Sequence, residues 1–372
     1  MDYPNVYRPE NTAAVRNFVK ACDALDHRVV ALTRTANPFA VAQADGDGKG
    51  DPNVLSMRYW GLPFGFLLAL SMYLVSWRVA REARRRQWRP QAIHAHKLTF
   101  EGIAGWFLAR RWGLPLIVSV RGEAESKVLR FKPHYWPLLQ RLLSDAKRVY
   151  YVSAWFKPIL NRRFRISEDR QSLLPNFVTV REPQAQRPQP RAGHLVTVMD
   201  LNVYRKKGLN RLLPAFRECL KTYPDARLDV IGRGEPAVVA EVQQLIIQLG
   251  LQDRVSLLGP LPNAELLDRL PGYAGMALPS HNETFGMIYV EALLAGVPIL
   301  HSAGTGIDGF LEHLDVRVSV DPLDQSSITR GLNELLGNHQ SFGLRIACHR
   351  STLLCLFGRD THVCSYVDLI KN

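Results

Sequence analysis

The stretch Ser280 to Leu300 reads SHNETFGMIYVEALLAGVPIL and carries two carboxylates, Glu283 and Glu291, with seven residues between them. Gly286 permits a tight approach of the backbone. Met287 to Ala295 has helical character, Gly296 ends the run and Pro298 prevents a restart. A helix start gathers unpaired N–H groups and about half a positive charge, which makes it a place for an anion. Glu291, placed two turns further in, can accept hydrogen bonds from two ribose hydroxyls. Glu283 stands just ahead of the helix, beside whatever extends past the phosphates. Phosphate, ribose and a second polyol are the parts of a nucleotide sugar. A surface glutamate beside an amphipathic helix is the plainer alternative for either residue. The flanking glycines and the apolar strand Met276 to Pro279 favour the binding function.

At these residues the chain resembles the retaining glycosyltransferases of family 4, also called glycosyltransferase group 1. Their signature is this Glu-x7-Glu followed by an Ala-x-Gly-x-Pro turn, here Ala295-Gly296-Val297-Pro298. The resemblance implies a GT-B fold, α/β with two Rossmann-like, doubly wound domains facing a cleft. It implies that Glu283 orients the transferred sugar and Glu291 holds the ribose. It also implies that the amides around Phe285, Gly286 and Met287 meet the sugar or the diphosphate.

The departing diphosphate needs charge stabilisation, from a metal or from cations. In the family a Lys precedes a glycine after the first strand of the second domain, with an Arg five residues before it. In Leu201 to Gly208 (LNVYRKKG), Lys207 matches the Lys and Asn202 replaces the Arg. Arg205 or Lys206 then stands nearest to supply the lost charge. The alternative is a solvated basic turn. Gly232 to Ala237 (GRGEPA) fits the spacing of a dinucleotide turn, but Pro236 interrupts it and no acidic residue ends the next strand. The resemblance makes Gly232 part of a donor-lining turn instead. It also brings the backbone around Leu261 to the nucleobase.

On the acceptor side the resemblance marks His94 and His96, a His-x-His at the end of a strand. Arg121 stands where many relatives carry His. Its guanidinium cannot act as a base, but it can bind phosphate or carboxylate. A structural ion pair with Glu123 or Glu125 remains the alternative. Asn176 matches a hinge-side Pro-Asn-Gly-Val motif, with Phe177 replacing Gly. The acidic loop Asp45 to Asp51 fails as a calcium loop, because Lys49 and Ser56 stand at ligand positions. No metal and no cofactor are expected.

The elements that must hold these residues alternate strand and helix. Val29–Leu32, Leu116–Val118, Val149–Val152, Leu195–Val198 and Leu228–Ile231 are the clearest strands. At 372 residues and 47% hydrophobic content, two domains are expected. They are residues 1–180 on the acceptor side and 194–356 on the donor side. The Pro- and Gln-rich 181–193 forms the linker, and the last helix, 357–372, crosses back. The amino terminus (MDYPNVYRPENTAAVRNFV) begins at a loop rather than at the apolar first strand that the resemblance implies. A missed upstream start or a truncated chain is the expectation.

Five cysteines without a CxxC pair fit a reducing, cytoplasmic setting. The net charge is +13. Residues 1–180 carry 28 Lys and Arg against 14 Asp and Glu, whereas 181–372 carry 19 against 20. That asymmetry calls for an anionic partner of the first half. No nucleic-acid module interrupts the α/β pattern, so nucleic acid is not expected. The uncharged run 60–77 is followed by Arg78, Arg81, Arg84, Arg85, Arg86 and Arg89. Pro63 and Gly65 leave it too short to span a bilayer, which takes about 20 apolar residues. An interfacial helix on an anionic membrane surface and a helix packed on the sheet both fit. The expected activity is sugar transfer from a nucleoside-diphosphate sugar to a glycan or lipid-linked acceptor. A nucleotide-sugar 2-epimerase and a silent nucleotide-sugar binder are the rivals.

Overall fold

The computed structural model describes residues 3–9, 11–12, 14–48, 50–62, 65–178 and 190–371. The chain forms two compact units. Unit 1 comprises residues up to Val152, Phe156–Phe177 and the segment from Arg359 onwards; unit 2 comprises Ser153–Trp155 and Val178–Gly358.

In chain order unit 1 contains α1 (Ala14–Ala21), β1 (Val29–Thr35), β2 (Ala42–Asp45), β3 (Val54–Trp60), α2 (Leu68–Arg85), β4 (Ile93–Ala95), α3 (Glu101–Trp112) and β5 (Leu116–Val120). There follow α4 (Glu123–Phe131), α5 (Trp136–Asp145), β6 (Arg148–Tyr151), α6 (Lys157–Asn161) and β7 (Gln171–Leu173). Strand β5 (LIVSV) is buried along its whole length, as expected of a parallel strand covered on both faces. The strands form two ladders. One has the order β1-β3-β2, with β1 and β3 parallel but β2 antiparallel to β3. The doubly wound pattern is therefore broken at this edge, where the short turn from Asp45 to Val54 can join only antiparallel neighbours. In that turn the Asp51 N–H donates to the Asp47 carboxylate over 3.2 Å, while Asp45 pairs with Arg86. Lys49 lies outside the described residues.

The other ladder is β4-β5-β6-β7, all parallel. Among the described residues no strand bridges β1 and β4. Both instead border one cavity of about 770 Å³, lined by Val29, Val30 and Leu32 on one side and Ile93 to His96 on the other, with Tyr3 at its margin.

Unit 2 contains β8 (Arg191–Val198), α7 (Leu209–Cys219), β9 (Arg227–Ile231), α8 (Pro236–Gln248), β10 (Val255–Gly259), α9 (Asn263–Arg269) and β11 (Tyr273–Leu278). It continues with α10 (Met287–Leu294), β12 (Ile299–Ser302), β13 (Arg317–Val320), α11 (Gln325–Gly337), α12 (His339–Cys348) and α13 (Arg350–Phe357). The final helix, α14 (Arg359–Lys371), belongs to unit 1. Of the expected linker, 181–189 lies outside the described residues. Its last three residues begin β8, where Arg191 pairs with Tyr273.

All six strands of unit 2 are parallel, in the order β10-β9-β8-β11-β12-β13. The order reverses between β8 and β11. Connections leaving these two neighbours turn to opposite sides, so a crevice opens at their carboxyl ends. The loops that follow them are 199–208 and 279–286, the segments holding Lys207 and Glu283.

Candidate active site

The 199–208 loop is fastened to the end of β11. Gly208 packs so closely there that a Cβ would lie 2.0 Å from the Pro279 carbonyl oxygen. The His281 N–H donates to the Lys206 carbonyl over 2.8 Å. These fastenings bring the Lys207 ammonium onto Glu283 Oε2, with both side chains largely shielded. The Ser280 hydroxyl also reaches that carboxylate, at 3.5 Å.

Glu283 is held through its backbone. Its N–H donates to Thr305 Oγ1 at 2.6 Å, and the same hydroxyl donates back to the Glu283 carbonyl at 2.7 Å. The Gly306 N–H adds a bond to that carbonyl at 2.9 Å. Thr305 is only 7% exposed. Sequence reasoning missed this support, although Gly304, Gly306 and Gly309 close together marked an unusual loop.

Gly286 leads into α10. Phe285 is buried against Phe310 and Phe357, so its ring is core and only its backbone is left for a ligand. Met287 is the first helical residue and Glu291 the fifth, so Glu291 lies one turn in rather than two. Burial pushes the Glu291 carboxyl above its ordinary range, against a smaller opposing effect of the Asn263 hydrogen bond. That bond, from Asn263 Nδ2 to Glu291 Oε1, spans 3.4 Å. Asn263 opens α9, two residues past Leu261, so the turn after β10 and Glu291 are neighbours.

The remaining basic residues divide. Arg205 does not join the Lys207–Glu283 pair: its guanidinium bonds Glu241 of α8 at 2.6 Å and the Tyr204 hydroxyl at 3.1 Å. Asn202 Oδ1 accepts from the Glu235 N–H at 2.8 Å, and the Leu201 N–H donates to the Arg233 carbonyl at 2.7 Å. The turn after β8 and the Gly232–Glu235 turn are thus zipped together. Gly232 is required, since a Cβ would stand 1.6 Å from the Met199 carbonyl oxygen. The Arg233 side chain reaches Asp200 at 3.4 Å, which returns a cation to the neighbourhood of Asn202.

In unit 1, His94 uses both ring nitrogens, one with Tyr366 of α14 at 2.9 Å and one with Ser119 at 2.8 Å. Burial, reinforced by Arg121, pushes its pKa down to about 3. His96 lies against it, with ring centroids 4.0 Å apart, and burial pushes its pKa well below the usual value too. Both imidazoles are therefore neutral, and the His94 ring is already engaged in binding α14. Arg121 is buried, donating to the His96 carbonyl at 3.0 Å and to Asn176 Oδ1 at 3.4 Å. Of the acids named as its partners, Glu123 meets Lys127 at 3.7 Å and Glu125 accepts the Leu98 N–H at 3.0 Å. Among the described residues no group of three or more His, Cys, Asp or Glu is placed to hold a metal ion.

A six-stranded Rossmann sheet with a Lys–Glu pair at its switch point is joined in this chain to a second α/β unit, whose strands are parallel except for β2. Residues 181–345 match the family described as glycosyl transferases group 1, and residues 12–177 match the glycosyl transferase 4-like domain. The chain belongs to the group 1 glycosyltransferases and has the GT-B fold. It is 23% identical to an alpha-monoglucosyldiacylglycerol synthase of Acholeplasma laidlawii, over 80% of this chain and 78% of that protein. It is likewise 23% identical to a glycogen synthase of Mycobacterium tuberculosis, over 97% and 90%. Among solved structures, sucrose-phosphate synthase from Thermosynechococcus elongatus superposes with a TM-score of 0.70 at 17% identity, covering 96% of this chain and 92% of that one. The Anabaena protein HepE, solved with UDP and glucose, superposes with a TM-score of 0.64 at 16% identity, covering 93% and 100%.

Proposed function

We propose that this glycosyltransferase is a retaining enzyme that moves a sugar from a nucleoside-diphosphate sugar to a glycan or lipid-linked acceptor in bacterial surface polysaccharide assembly. The observation that carries the reading is the meeting of Lys207 and Glu283 at the β8/β11 switch point, with Glu291 one turn into α10. Lys207 neutralises the departing diphosphate, and Arg233 adds charge from the paired turn in place of the missing Arg at position 202. Glu283, freed in part from Lys207 when the diphosphate arrives, orients the transferred sugar. Glu291 accepts the ribose hydroxyls. The amides of Gly286 and Met287, at a helix start, suit an oxygen of the sugar or diphosphate. The departing phosphate oxygen takes the acceptor proton as the acceptor attacks from the same face, so the anomeric configuration is kept. Lys207 supplies the countercharge without a metal. Complexes of HepE with UDP and with UDP-glucose favour a nucleotide-sugar donor. The diacylglycerol product in the name of the Acholeplasma relative favours a lipid acceptor.

The test is UDP-glucose titration of the wild-type protein and Glu291→Ala, followed by NMR of the product made in EDTA. Two charged hydrogen bonds at about 1.5–3 kcal/mol each predict at least a hundredfold loss of affinity. Unchanged affinity, an inverted anomeric centre, or activity that needs added Mg2+ or Mn2+ contradicts the corresponding part. Conversion of donor without acceptor would point to an epimerase, and binding without turnover to a silent homologue.

A further inference from the structure

Helix α2 has two apolar faces. Leu68, Met72, Val75 and Val79 are buried in unit 1, which satisfies the packing of an ordinary amphipathic helix. The opposite face carries Leu70, Tyr73, Leu74 and Trp77, each about half exposed, and the helix is preceded by Phe66 (71% exposed) and Leu67 (55%). Leu70, Leu74, Trp77, Arg81 and Arg84 follow steps of three and four residues along α2, so they form one stripe, with Leu67 just ahead of the helix. The stripe changes from apolar to basic midway, and the Arg81 guanidinium lies over the Trp77 ring at 5.5 Å. At the basic end Arg81, Arg84 and Arg85, with Gln43 and Glu82, line an open hollow of about 550 Å³. Glu82 is occupied by Arg85 at 2.8 Å.

We infer that this outward face of α2 is a docking surface for an anionic lipid bilayer. The helix lies flat, with Phe66, Leu67, Leu70, Leu74 and Trp77 among the acyl chains and Arg81 and Arg84 at the level of the lipid phosphates. Charge complementarity selects this occupant: aromatic and aliphatic side chains flanked by arginines match the layered chemistry of a phospholipid interface. A protein partner would need no such separation of apolar and basic ends. No described helix is long and apolar enough to cross a membrane, so the contact is peripheral. The inference deepens the reading of a lipid-linked acceptor and rests on it for its purpose, since docking would concentrate the enzyme where such an acceptor lies.

The experiment is sedimentation of the intact protein with phosphatidylcholine vesicles, with and without one-third phosphatidylglycerol. Wild type should sediment with the anionic vesicles, and high salt should release it. Arg81→Gln with Arg84→Gln should lower partitioning by about fivefold per arginine. Leu70→Gln with Trp77→Gln should lower it at least tenfold, keep cooperative thermal unfolding because neither side chain belongs to the buried face of α2, and abolish the blue shift of tryptophan fluorescence seen with wild type. Equal recovery of wild type in the supernatant with both vesicles overturns the inference. So do variants that sediment like wild type, and concentration-dependent dimers that bury this face without vesicle binding. UDP affinity measured on the same samples separates the two readings: lost docking with intact UDP binding leaves the donor site standing, and the converse leaves the docking surface standing.

Discussion

Replacing Thr305 by Val removes one hydroxyl and little volume, so the perturbation falls on two hydrogen bonds to the Glu283 backbone. The donated bond to the Glu283 carbonyl is worth about 1 kcal/mol net, and that oxygen keeps the Gly306 N–H. The accepted bond matters more. Thr305 is nearly buried, so its loss leaves the Glu283 N–H without an acceptor, at about 1–3 kcal/mol. The predicted destabilisation of unit 2 is therefore about 2–4 kcal/mol. The same change frees Glu283 to shift relative to Lys207, and UDP-glucose affinity should fall with it. Thr305→Ser keeps the hydroxyl and should restore both properties. Urea unfolding gives the first quantity and titration calorimetry the second. A valine variant as stable as the serine variant, with the same donor affinity, would refute the account of how Glu283 is held.

Three further outcomes follow from the same site. The folded pKa of Glu291 is raised by burial, so above the ordinary carboxylate range the unfolded chain releases its proton first. Its contribution therefore lowers stability as pH rises from the ordinary value to the raised one, and it vanishes below the ordinary value; Glu291→Gln should flatten this slope in pH-dependent thermal unfolding. Donor binding, which needs the carboxylate as acceptor, should release a proton in that window, detectable as buffer-dependent binding enthalpy. Gly208→Ala places a methyl against the Pro279 carbonyl at a backbone φ of +81°, so a loss of at least about 2 kcal/mol and of UDP binding is expected. A near-wild-type melting temperature would disprove that packing.

Much of unit 2 could be read in the chain because its signals are local. Gly286, Gly296 and Pro298 bracket α10 within one residue, and the apolar runs at Leu195 and Leu228 became β8 and β9. The link between Lys207 and Glu283 was accessible only through the family pattern, since 75 residues separate them and no local rule pairs them. Arg205 shows where one-dimensional reasoning stops. Its sequence neighbours point to the phosphate turn, yet Glu241, far along the chain, takes its charge. Thr305 and Arg233 were invisible for the same reason: each side chain meets a loop, distant in sequence, that the sheet brings near. His94 was expected at an acceptor mouth, but the residue that occupies its Nδ1 comes from the last helix.

The hollow between β1 and β4 makes unit 1 mechanically unlike unit 2. A continuous ladder shares strain across all its rungs, whereas two short ladders meeting over a void transmit it only through the helices laid across them.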